Sequence, residues 1–323
     1  MKSGWPLLTI TLLLTPAYGE EDATPPMSRE RLEGIGQFLE WKKMEFKEDD
    51  VLLVGGTCDV KQVEETFGLC RKAIDKACAA LRVPPEQLRG GGKLWFTVLS
   101  EKKEFMSLAD TPKQKELYDR ISAAGNFMCI DPAAGMTPDG IPHMTAHLFT
   151  HRILEAYQKL HPGTEPPGWL KEGFPAWMDG TLNGTPKTCC IAHVGYEDEN
   201  FKTRQAGASW EESVTRALQK YSETKESDRH SAEYTPLRNL VGKPFDRLTG
   251  TDVAVSWKVI GDLISDKAKP EGFKALLDAV LEGGKQPLVF EKAFGKSLDD
   301  YEKGWMKAIL PKPEPPAPKK KKK

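Results

Sequence analysis

The chain has 323 residues, 39% of them hydrophobic, and 46 Lys and Arg against 47 Asp and Glu for a formal charge of -1. That is enough apolar material for one large domain or two small ones. The balanced charge supplies no field to hold nucleic acid, which excludes it as a partner. No apolar run beyond the first twenty residues is long enough to span a bilayer, so no transmembrane segment is expected.

Lys2 precedes an apolar run from Leu7 to Leu14 and then Ala17-Tyr18-Gly19, the pattern of a signal peptide over 1–19 and of an exported chain, periplasmic, envelope-bound or secreted. Residues 20–49 are read as a leader and an N-terminal helix. That helix is placed over Arg29–Lys47, where Leu32, Ile35, Phe38, Leu39 and Trp41 fall at helical spacing among charges. Val51–Val54 follows as a short buried strand, then a helix over Val60–Leu81, then a break at Pro84-Pro85 and Gly90–Gly92. Leu94–Leu99 is the clearest strand. Lys102–Ala123 is helical in composition, and Asn126–Ile130 is a third strand.

From Pro142 the character changes to helices near 142–160, 169–180, 210–222, 251–266, 270–282 and 297–309, with 181–208 the least legible stretch. Strands first and helices later predict an α+β fold, a mixed first part with a small sheet and a mostly helical second part, rather than alternating βαβ units. The Pro-rich run from Pro311 and the lysines 319–323 make 311–323 a disordered tail suited to contact with anionic surfaces. Six cysteines permit up to three disulfides in an exported chain. None has the spacing of a CxxC knuckle and none is assigned to a metal. Asn183-Gly184-Thr185 reads as a turn, and as a glycosylation sequon only in a host that glycosylates exported chains.

The chemistry concentrates in Pro142-His-Met-Thr-Ala-His-Leu-Phe-Thr-His-Arg-Ile-Leu-Glu-Ala-Tyr157, whose proline suits a first helical position. Positions four apart share a helix face, so His147 and His151 can offer two imidazole nitrogens to one metal ion. His143 lies one turn earlier on that face. Glu172, in Gly168-Trp-Leu-Lys-Glu-Gly173, is a third candidate, and two imidazoles with one carboxylate make a catalytic type of zinc site with an open fourth position.

His147-Leu-Phe-Thr-His151 resembles the HExxH helix of the gluzincin peptidases, and Trp169-Leu-Lys-Glu-Gly173 resembles their WLxEG segment, which carries the third zinc ligand. The likeness extends over about 93–310. It is nearest to the peptidase-MA-like domains of exported bacterial proteins, whose Ala-Phe-Gly-Lys-Ser turn and following Trp are matched by Ala293–Ser297 and Trp305. The resemblance implies a zincin-like domain over 50–310, zinc on His147, His151 and Glu172, and a cleft that takes a peptide or protein segment. The histidine pair alone is a weak motif; the flanking residues and the spacing to Glu172 give it weight.

Leu148 stands where the family has the glutamate that takes the proton from the metal's water and delivers it to the leaving nitrogen. A hydrocarbon cannot do this, and the loss is about 10²–10⁴ in rate. His143 and Glu155 are candidate substitute bases, each about 6 Å along the axis from its neighbouring ligand. Asp179 is a candidate to orient a ligand histidine, and Pro175 requires Glu172 to sit in a first turn or beside a kink. The expected function is therefore an impaired peptidase fold, a pseudopeptidase that holds zinc. An active hydrolase with an unusual base and a metal-free structural envelope module are the alternatives. Tyr234 and Tyr221 are candidates for a transition-state tyrosine. Trp169, Phe174 and Trp177 are read as core, His161 as part of a helix stop, and His193 and His230 as loop residues facing solvent.

Overall fold

Two apolar runs with almost no alternation, Leu52–Gly56 (β2) and Leu94–Leu99 (β3), are buried at every position, as strands covered on both faces must be. In the computed structural model they lie side by side and parallel, joined by the long helix α2 (Val60–Leu81), whose first turn is capped by Asp59. Strand β1 (Glu45–Glu48) adds antiparallel to β2, and β4 (Phe127–Cys129) adds parallel to β3. The order is β1-β2-β3-β4. The structure describes residues 26–89, 92–108, 110–112, 114, 126–161, 163–188, 190 and 209–310, with the side chains of 230 and 231 excepted. The expected signal peptide, residues 115–123 of the expected helix over 102–123, and the Pro/Lys tail fall outside these residues.

Three expectations are corrected. The helix drawn over Arg29–Lys47 is α1 (Arg29–Phe38), capped by Ser28. Glu40 adopts φ 55° and the Trp41 N–H returns to the Gly36 carbonyl at 2.8 Å, a left-handed reversal that ends the helix and releases the chain into β1. Secondly, although the mixed first part with a small sheet and the mostly helical second part are as expected, the first part contains one parallel β2–α2–β3 crossover, a βαβ unit of the kind the α+β reading set aside. Thirdly, the boundary at residue 50 divides the sheet. Leu32 and Ile35 of α1 pack with Leu53, Trp95, Leu99 and Phe127 in a second core cluster, so α1 and β1 belong to the same fold as the sheet.

One buried carboxylate ties that layer together. Glu104, in α4 (Lys102–Met106), accepts from the Thr57 hydroxyl (2.7 Å), the Ser100 hydroxyl (3.2 Å), the Glu101 N–H (3.0 Å) and the Lys42 N–H (3.3 Å). The Trp41 indole N–H donates to the Glu104 carbonyl at 3.0 Å.

The short α3 (Pro85–Leu88) precedes β3. The helical half comprises α5 (Gly140–Gln158), α6 (Gly168–Asn183), α7 (Trp210–Glu223), α8 (Leu237–Leu240), α9 (Gly250–Ile264), α10 (Gly272–Leu281), α11 (Gln286–Phe294) and α12 (Leu298–Ile309). Helix α11 was unforeseen because Pro287, which suits its first turn, reads as a joint in sequence. Helix α5 lies on the sheet through Phe149, edge-on to Phe96 of β3 at 5.8 Å. Helix α6 approaches α9 closely at Gly173, where a Cβ would stand 2.7 Å from the Ser256 Cβ. No described helix is long and apolar enough to cross a membrane.

Candidate metal centre

Helix α5 is buried on most of its circumference, so each polar side chain on it needs a partner. Thr145 and Thr150 donate back to the Ile141 and Ala146 carbonyls at 2.8 and 2.6 Å. Pro142 is the third helical residue, not the first, and still falls among the four whose N–H would lack a helical acceptor. Phe149 and Ile153 join the main core, while His143, His147 and His151 form a row that meets α6.

The two helices run antiparallel, since His143 faces Asp179 while His147 and His151 face Glu172. His147 Nε2 is 3.2 Å from Glu172 Oε1, His151 Nε2 is 3.5 Å from Oε2, and the two Nε2 atoms are 3.2 Å apart. His147 and Glu172 are both 0% exposed. Glu172 sits in the second turn of α6 rather than the first, and the helix continues past Pro175. Burial holds the His151 imidazole below the ordinary histidine range. Burial by itself would raise the Glu172 carboxyl, but His147 and His151 outweigh it and hold it well below the usual carboxylate range.

A fourth donor joins them. Ligand atoms of His147, His151, Glu172 and Cys190 all lie within 4.8 Å of one another, a group able to hold a metal ion. The half-buried Cys190 also donates its main-chain N–H to Glu172 Oε1 at 2.6 Å. Cysteine spacing in the sequence assigns no cysteine to a metal, yet the fold brings Cys190 into this cluster. Cys190 lies in the stretch of least legible sequence, and only its being a cysteine downstream of Glu172 could have flagged it.

The remaining candidates are engaged elsewhere. Asp179 does not orient a metal-facing histidine. Its Oδ1 pairs with His143 Nδ1 at 2.7 Å and accepts from Asn183 Nδ2 at 2.9 Å, while Oδ2 accepts the Lys187 and Thr188 N–H groups at 2.8 and 3.3 Å. Glu155 pairs with Arg152 at 3.1 Å and Lys159 at 3.0 Å. Leu148 is half-buried against the main core. Tyr234 is buried with its hydroxyl on Glu302, and Tyr221 lies edge-on to it at 5.0 Å, so both serve packing. Trp169 and Phe174 are core residues, with Trp177 stacked on Phe174. His161 lies 3.4 Å from Asp278. His193 and the His230 side chain fall outside the described residues.

Zinc fits this donor set. With bonds of about 2.0–2.1 Å, neighbouring tetrahedral ligands are about 3.3 Å apart, close to the 3.2, 3.2 and 3.5 Å found among the imidazoles and carboxylate. Glu172 Oε2 is buried without a hydrogen-bond partner, a cost that a cation beside it removes. No family model, curated protein or solved structure matches the chain.

Proposed function

We propose that the chain is an exported gluzincin-like domain that holds zinc and does not hydrolyse peptides. The observation that carries this is the convergence of His147, His151 and Glu172 on one point, with leucine at 148 where the proton-transferring carboxylate belongs. An active hydrolase with a substitute base loses support, because His143 is committed to Asp179 and Glu155 to Arg152 and Lys159. Export rests on the first nineteen residues, and a peptide or protein segment as cleft ligand rests on the family resemblance alone.

Metal analysis of protein purified without added zinc tests the proposal beside the His147→Ala variant. About one zinc per chain in the parent and none in the variant is expected. A metal-free parent, or a variant with the same zinc content, would return the chain to the reading of a structural envelope module.

A further inference from the structure

We propose that Cys190 Sγ is the fourth ligand of this centre, so that a thiolate occupies the position a zinc hydrolase leaves to water. The inference rests on the zinc reading above. As the Sγ–metal bond forms, the thiol proton passes to solvent, and the ion is enclosed by two imidazoles, one carboxylate and one sulfur.

The course of the chain after α6 supports this. Pro186 packs against Gly180, where a Cβ would be 3.1 Å from the proline Cδ. The Lys187 and Thr188 N–H groups then donate to Asp179 Oδ2, and two residues later the Cys190 N–H donates to Glu172 Oε1. Asp179 and Glu172 are seven positions apart, two turns along one buried face of α6. The returning chain is thus laid back along the helix that supplies the carboxylate ligand and is fastened to it at both ends of the segment. A main-chain bond to the ligand carboxylate itself brings the Cys190 side chain to the imidazoles, without requiring any CxxC spacing.

Charge points the same way. Two imidazoles and one carboxylate leave a divalent ion with one uncompensated positive charge beside His147 and Glu172, both 0% exposed, and the partly buried His151, an arrangement that a further anionic ligand would relieve. A thiolate brings the sum to zero. The absence of a proton acceptor at Leu148 is consistent with a centre that has no metal-bound water to activate.

The test is cobalt substitution of the full chain. We expect stoichiometric Co²⁺, intense visible bands of a tetrahedral ion and a sulfur-to-cobalt charge-transfer band in the near ultraviolet. That band should vanish in Cys190→Ser and persist in Cys189→Ser. Bound cobalt without the band, or a band that survives Cys190→Ser, would overturn the inference while leaving the three-ligand zinc reading intact. Failure of the parent to bind cobalt would overturn both. Should Cys190→Ser not fold, alkylation of the parent decides: zinc should slow modification of Cys190 about tenfold or more, chelation should restore it, and equal rates with and without zinc would refute ligation.

Discussion

His143 Nδ1 and Asp179 Oδ1 meet at 2.7 Å one helical turn ahead of the metal-facing histidines. The carboxylate that in a zinc enzyme would brace a ligand imidazole here braces its neighbour, and the Nδ1 of His147 is left without a hydrogen-bond partner. Asp179 is also the anchor for the chain returning from α6. Replacing it by alanine strands several buried donors at once, so Asp179→Ala should cost about 3–5 kcal/mol in urea denaturation. Zinc stoichiometry should survive with affinity about tenfold weaker, because the ligands stay. Complete loss of zinc from a folded Asp179→Ala protein would contradict its supporting role.

Leu148→Glu places a carboxylate where the gluzincin peptidases have their general base, but the thiolate proposed for the fourth position would still deny water to the metal. We expect no zinc-dependent hydrolysis of a generic peptide substrate from Leu148→Glu alone. The double variant Leu148→Glu with Cys190→Ser should gain it, by at least about 10²-fold over either single change. Activity in the single variant equal to that of the double would show that the sulfur does not block the site.

Removal of the metal should be felt as lost stability. At free zinc about 100 times Kd, ligation is worth about 2.7 kcal/mol, so a strong chelator should lower the Tm of the parent by roughly 5–10 °C. The Tm of His147→Ala should not respond. A chelator effect of equal size in that variant would mean that stability does not depend on this centre.

Glu104→Ala removes an acceptor shared by Thr57, Ser100, Glu101 and Lys42. The expected loss is about 3 kcal/mol, read from the urea midpoint. Near-ultraviolet circular dichroism should change with it, since Trp41 and Trp95 lie in the same layer. An unchanged midpoint would show that α1 and β1 are not held through this carboxylate.

The convergence of His147, His151 and Glu172 was legible because helical periodicity alone puts the imidazoles on one face, and the flanks of Glu172 mark the partner helix. Cys190 was not legible. Its position depends on how the chain turns after Asn183, which no local period dictates, and on carboxylates that capture main-chain N–H groups. The true partner of Asp179 was hidden for a related reason: the antiparallel register of α5 and α6 decides it, and a spacing within one helix says nothing about register. Strand β1 escaped notice because its Glu-Phe-Lys-Glu sequence carries the charges of a sheet edge, which resemble an exposed helix turn. The helices after Trp210 were readable where Ser or Thr caps precede them, as Ser209 and Thr249 do.

All four donors lie in one uninterrupted stretch of chain from His147 to Cys190, carried by two consecutive helices and the segment returning from them. Closing so short a loop sacrifices little chain entropy, so the binding constellation can assemble from neighbours before distant parts of the polypeptide find one another. Under the proposed export, a centre of this local kind can take up the proposed ion in the new compartment without waiting for the rest of the molecule.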